Sequence, residues 1–199
     1  MDTNTKKILD ELADEIKKIT PQAVDEFNQV RLKFLEQGWG EKFSHIINKT
    51  ESKQQTQEKT KLLSRAINNC FLQKIQSNLK DFIESNSDGY DYKYKDIKIE
   101  DKNTCSAGKD WTGNGFPKEK IHLLKKFEVS DSGEIEKACI LIIEVGINSM
   151  WTKKDGGNSN YSTISIHVKD VPNVIKVWGD IVKNKRDRKF ATPILKKII

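Results

Sequence analysis

Apolar residues recur at helical spacing through the first part of the chain. Ile8, Leu9, Leu12, Ile16 and Ile19 share one face of a helix predicted over residues 5 to 19. Thr20 and Pro21 suit the N-cap and first turn of a second helix. Val24, Phe27, Val30, Phe34 and Leu35 give that helix an apolar face, and Gly38 is its natural stop. Trp39, Phe43, Ile46 and Ile47 suggest a short third helix. Residues 48 to 61 carry no apolar side chain and read as a solvated segment. A longer stripe follows: Leu62, Leu63, Ala66, Ile67, Cys70, Phe71, Ile75, Leu79, Phe82 and Ile83. It predicts a helix over about 59 to 84, packed on a sheet.

After Gly89 the period changes from that of a helix to that of a strand. Residues 88 to 102 read as two short antiparallel strands joined near Lys95-Asp96. In the second strand Ile97 and Ile99 share one face, while Lys98, Glu100 and Lys102 share the other. Asp91, on the first strand, can reach the same point across the hairpin. Two acids and a lysine thus converge. Carboxylate oxygens suit Mg²⁺, a hard cation that keeps several waters. A lysine beside it can orient a water or neutralise a phosphate.

The rest of the chain alternates strands and polar loops. Residues 103 to 117, with Gly108, Gly113 and Gly115, read as an irregular loop leaving the hairpin. Ile121–Val129 reads as a strand, Asp131-Ser132-Gly133 as a turn, and Ala138–Val145 as a buried strand. Residues 148 to 160 form a long polar loop between two strands of the core sheet. Ile164, Ile166 and Val168 alternate as a strand, and Asp170-Val171-Pro172 opens a helix carrying Val174, Ile175, Val177, Trp178, Ile181 and Val182. No internal repeat is visible. The reading is one α+β domain over 1 to 199, mainly helical over 1 to 85. Its central sheet, mixed but mostly antiparallel and flanked by helices, falls within 88 to 199.

Charge changes the picture in one place. The net charge is +6, and the segment from Lys183 onward accounts for it. Lys183, Lys185, Arg186, Arg188, Lys189, Lys196 and Lys197 face only Asp187 there. Such a tail suits phosphate. The chain has no apolar run long enough to span a bilayer, and its first residues, Met1 to Lys7, lack the apolar core of a signal peptide. A cytoplasmic protein is the expectation. Cys70, Cys105 and Cys139 are far apart, as are His45, His122 and His167, so reduced cysteines are expected and a zinc site is not.

Asp91 followed by Glu100-Asp101-Lys102 resembles the Asp…(Asp/Glu)-x-Lys signature of the restriction-endonuclease-like (PD-(D/E)xK) nuclease superfamily. The segments that follow, Trp-Thr-Gly-Asn-Gly and then His-Leu-Leu in a strand, look like those of type II restriction endonucleases. The resemblance covers residues 88 to 129. Two features depart from the family: no proline precedes Asp91, and no helix pattern stands between Lys102 and Ile121, where the family core usually has one. The resemblance implies sequence-specific, Mg²⁺-dependent cleavage of double-stranded DNA, with a homodimer meeting a palindromic site. Asp91, Glu100 and the backbone carbonyl of Asp101 would hold the metal, and Lys102 would assist the water or the phosphate. Asp88, in the turn before the strand, is an alternative first ligand.

The DNA contacts expected with it lie in three places. Lys109 and Asn114 follow the site closely, with Lys109 meeting phosphate. Asn148, Lys153, Lys154, Asn158 and Asn160 carry the amide and ammonium groups that read adenine and guanine edges. Lys185, Arg186 and Arg188 supply tail contacts to phosphate. Trp111 is weighted toward a hydrophobic anchor. The alternatives are another nuclease of the same superfamily (a resolvase, repair or nicking enzyme), a non-catalytic DNA-binding protein, or an unrelated α+β protein with an exposed hairpin.

Overall fold

One helix, α1 (Thr3–Phe34), occupies the stretch from which two helices are expected. Asp2 caps it, its Oδ1 accepting the backbone N–H of Asn4 at 3.0 Å and of Thr5 at 2.9 Å. Pro21 sits inside the helix, where a proline costs about 3 kcal/mol. The buried face runs straight through it: Ile16, Ile19, Thr20, Ala23 and Phe27 are all buried. Thr20 does not cap a new helix. Its hydroxyl donates to the Ile16 carbonyl at 2.7 Å. Burial along an unbroken face outweighs the proline. In the computed structural model the described residues are 1–34, 53–85, 89–105, 111–114, 120–130, 133–145, 151–153, 161–164 and 174–179.

The second helix, α2 (Lys53–Asn78), packs against α1, and Lys74 bonds Glu26 across the pair at 3.0 Å. It includes residues 53 to 61, expected as a solvated segment, and it ends before the apolar stripe does. Ser77 Oγ and Asn78 Nδ2 both donate to the Lys74 carbonyl, so polar side chains take over the last turn. Phe82–Glu84 is strand β1. Phe82 stacks on Tyr92 with ring centroids 5.0 Å apart, a contact made by an extended neighbour of the hairpin.

The hairpin strands are β2 (Tyr92–Tyr94) and β3 (Ile97–Thr104). Then come β4 (Trp111–Asn114), β5 (Lys120–Val129), β6 (Ile135–Val145), β7 (Trp151–Lys153), β8 (Tyr161–Ile164) and β9 (Val174–Trp178). Six of these strands form one sheet in the order β1-β2-β3-β5-β6-β9. Its pairs are antiparallel except β3 with β5, which run parallel. The α+β class and the mixed, mostly antiparallel sheet are as expected. The described part of the crossover from β3 to β5 is β4, a strand rather than a helix.

Several elements differ from expectation. Trp111–Asn114, read as irregular loop, is a strand, and so is Trp151–Lys153 inside the long polar loop. Strands β4, β8 and β7 make a separate three-stranded sheet, so β7 and β8 lie outside the core sheet. Val174–Trp178, read as the start of a helix, is a strand paired with β6. Its density of β-branched residues favours the extended form once a sheet edge is available. The proposed third helix, Ile166, Val168 and the tail lie outside the described residues.

One face of the large sheet carries the main core. Leu9, Leu12 and Ile16 of α1 and Ile67, Phe71 and Ile75 of α2 cover Ile97, Ile99, Leu123, Phe127, Ile140 and Ile142. The other face holds a smaller cluster of Trp111, Leu124, Cys139, Leu141, Ile143 and Val145. Strand β6 is buried on both sides, which explains its continuous apolar run. No helix among the described residues is long and apolar enough to cross a membrane.

Gly179 closes β9 with φ +67°, and a Cβ built on it would lie 1.7 Å from the Ala138 carbonyl oxygen of β6. Gly179→Ala is expected to destabilise the protein. The left-handed backbone alone costs about 1–2 kcal/mol, and the overlap with backbone adds to that. Urea denaturation checks this; an unchanged midpoint would mean that β9 does not pair with β6 as described.

Candidate active site

The hairpin is built by a two-residue turn. Tyr94 pairs with Ile97, and Lys95 takes the left-handed conformation at φ 52°. Lys95 Nζ reaches Glu11 Oε2 at 2.7 Å, which ties the turn to α1 and holds the exposed Glu11 carboxyl below its usual range. Strand β3 alternates as expected: Ile97 and Ile99 are buried toward the helices, Lys98 is exposed on the other face, and Glu100 and Lys102 share that parity.

Tyr92 is the last β2 residue paired with β3, opposite Ile99. One step further out, Asp91 stands opposite Glu100, its N–H donating to the Ile99 carbonyl at 3.1 Å. Asp91 therefore immediately precedes β2 rather than lying on it. Asp88 is outside the described residues.

The expected residues do meet. Lys102 Nζ lies 2.6 Å from Glu100 Oε1, 3.0 Å from the Asp101 carbonyl oxygen and 3.6 Å from Asp91 Oδ2. Asp91 Oδ2 also accepts the Asp101 N–H at 2.7 Å, which orients the carboxylate toward β3. Lys102 and Glu100 are mostly shielded, while Asp91 keeps about half of its surface open, so solvent reaches the group from the Asp91 side.

The Asp101 side chain turns the other way, toward the helices. It meets Lys125 Nζ at 2.8 Å, and both groups are buried. Lys125 was not anticipated from the sequence. Its signal was parity: Ile121, Leu123, Lys125 and Phe127 fall on one face of β5, so a lysine at that position must enter the core and find a partner. Taken together, the carboxylates of Asp91, Glu100 and Asp101 face the ammonium groups of Lys102 and Lys125, leaving one negative charge in excess.

This donor set fits a hard divalent cation. Oxygens of Asp91, Glu100 and Asp101 already surround a positive charge, the Lys102 ammonium. No group of three or more His, Cys, Asp or Glu side chains among the described residues could hold a metal. The set is two carboxylates and a peptide carbonyl, which suits an ion that retains water ligands.

Around the site, Tyr92 is buried, and its phenol is pushed up by desolvation and by the nearby carboxylates of Asp101, Glu84 and Asp91, so it stays neutral. His122, on β5, pairs in register with Glu100 and is buried. Trp111 is an anchor: it is buried, its Nε1 donates to the Lys125 carbonyl at 2.9 Å, and Lys126 Nζ lies 5.3 Å from its ring centre. Cys70, Cys105 and Cys139 are reduced thiols. Burial pushes the Cys105 thiol up to about 12 and raises that of Cys70, so neither is an activated nucleophile.

Of the expected DNA contacts, Asn114 ends β4 and Lys153 ends β7. Asn114 pairs with Tyr161, and Lys153 pairs with the next residue, Ser162, on the shared neighbour β8. The small sheet thus brings two candidates from separate parts of the chain to one end. Lys109, Asn148, Lys154, Asn158, Asn160, Lys185, Arg186 and Arg188 are outside the described residues.

No protein-family model matches the chain, and no curated protein sequence matches it.

Proposed function

We propose that the protein is a Mg²⁺-dependent endonuclease that cuts double-stranded DNA at a specific sequence, in the manner of a type II restriction enzyme. The observation that carries this reading is the convergence of Asp91, Glu100, the Asp101 carbonyl and Lys102 on one point of the hairpin. Asp91, Glu100 and the Asp101 carbonyl would hold the ion. A bound Mg²⁺ supplies a Lewis acid for the scissile phosphate and the departing oxygen.

The remaining work falls to the chain itself. Lys102 is anchored by Glu100 and placed to orient the attacking water or to neutralise a phosphate oxygen. The Asp101 N–H keeps Asp91 in place. Asn114 and Lys153, whose backbones meet at one end of the small sheet, and the polar residues of 148 to 160 would read base edges. Lys109 and the basic tail, with Lys185, Arg186 and Arg188, would meet phosphates. A palindromic target is met by two copies, one active site for each strand.

The test is incubation of purified protein with a long DNA in Mg²⁺ and, separately, in Ca²⁺. Discrete fragments in Mg²⁺ alone are the expected result. A smear would keep the chemistry and remove the sequence specificity. DNA that is bound but intact in Mg²⁺ would replace the enzyme with a binding protein.

A further inference from the structure

The Asp101 peptide is held from three directions. Its N–H donates to Asp91 at 2.7 Å, its carbonyl accepts from Lys102 at 3.0 Å, and its carboxylate meets Lys125 Nζ at 2.8 Å. Lys125 has no exposed surface. Among the described residues, neither its Nζ nor Asp101 Oδ1 makes a hydrogen bond, so the contact between them is an ion pair alone. Replacing a buried ion pair with apolar side chains of similar volume is often neutral or stabilising, because desolvation of the charges offsets most of their attraction, so the pair is weak evidence of a stabilising role.

Its position says what else it does. Side chains of β3 alternate between the helical face and the face that carries Glu100 and Lys102. A slip of one residue would exchange those faces and bury the site. Asp101 stands opposite Leu123 in the register, and its carboxylate reaches diagonally to Lys125, which shares a face of β5 with the apolar Ile121, Leu123 and Phe127. Lys125 is itself fixed, since Trp111 donates to its carbonyl and ties β5 to β4 of the small sheet.

We infer that Lys125 is a positioning residue. By pairing with Asp101 behind the sheet, it holds the Asp101 carbonyl, Glu100 and Lys102 toward the opposite face, where metal and phosphate would bind. The inference rests on the nuclease reading for its consequence in cleavage, but not for its consequence in metal binding.

The experiment compares wild type with Lys125→Met and with the double variant Asp101→Leu, Lys125→Met. The single variant leaves a buried carboxylate unpaired and risks misfolding; the double variant removes both charges and keeps the volume. Three measurements are made: Mn²⁺ binding to DNA-free protein by electron paramagnetic resonance, DNA affinity in Ca²⁺, and kcat and KM for cleavage in Mg²⁺. The double variant is expected to melt like wild type and to bind DNA like wild type. Its Mn²⁺ affinity and its kcat should each fall by about 10- to 100-fold, as for other residues that orient metal ligands. A double variant with wild-type Mn²⁺ affinity would overturn the inference. Wild type that binds Mn²⁺ but cuts no DNA would overturn the nuclease reading, and the Mn²⁺ comparison would still decide the role of Lys125.

Discussion

Alanine at Asp91, Glu100 or Lys102 is expected to abolish DNA cleavage and to leave the protein folded. Asp91 and Glu100 are the two carboxylates at the point where Lys102 Nζ sits, and either loss halves the charged donors available to a metal. Loss of Lys102 removes the group placed for proton or phosphate chemistry, a change typically worth about 10²–10⁴-fold in rate. The fold has little to lose. Asp91 is nearly half exposed, and the hydrogen bond that its carboxylate accepts from the Asp101 N–H contributes about 1 kcal/mol. Single-turnover cleavage of one DNA fragment, alongside circular-dichroism melts, decides the matter. Normal cleavage by Glu100→Ala would reject the site. Normal cleavage by Asp91→Ala together with loss in Asp88→Ala would move the first ligand into the turn before β2.

The hairpin was legible because a strand has a period of two. Once Ile97 and Ile99 were assigned to the core, Glu100 and Lys102 had to share the other face, and the two-residue turn placed Asp91 opposite Glu100. Nothing beyond local pattern was needed. The same rule, applied to Ile121-His122-Leu123-Leu124-Lys125-Lys126-Phe127, would have put Lys125 into the core. Two adjacent lysines have the look of a solvated edge, but β5 lies between β3 and β6 with both faces covered.

The errors came where tertiary packing overrode a local signal. Thr20-Pro21 is good N-cap chemistry, yet α1 continues because the faces before and after it bury against the same core. Trp111–Asn114 has the glycine and asparagine of a loop, but it is a strand whose register is set by β8, far along the chain. Val174–Trp178 is too short for periodicity to separate helix from strand; the exposed edge of β6 decides it. The separation of the small sheet from the large one had no local signal at all, since it depends on which edges meet. For the candidate site this means that the acids and the lysine were readable, while the support behind them and the surface beside them were not.

Phe71→Ala is expected to cost about 3–5 kcal/mol, the usual range for deleting a buried aromatic side chain. Phe71 has no exposed surface and packs on Phe127 with ring centroids 4.9 Å apart at 51°. Phe127 lies two residues beyond Lys125 on the same face of β5, so this contact fixes α2 over the strand that backs the site. Against a typical total stability of about 5–15 kcal/mol, a loss of that size leaves a protein folded at low temperature and partly unfolded when warmed. Urea titration at low temperature would give the free-energy difference. Cleavage measured there and again on warming would show a rate close to wild type in the first condition and a collapse in the second. A cost below about 1 kcal/mol would mean that α2 does not pack here, because a void under a fully buried phenylalanine cannot be that cheap. Loss of cleavage without loss of stability would instead place Phe71 in the support of the active site, through β5 and Lys125.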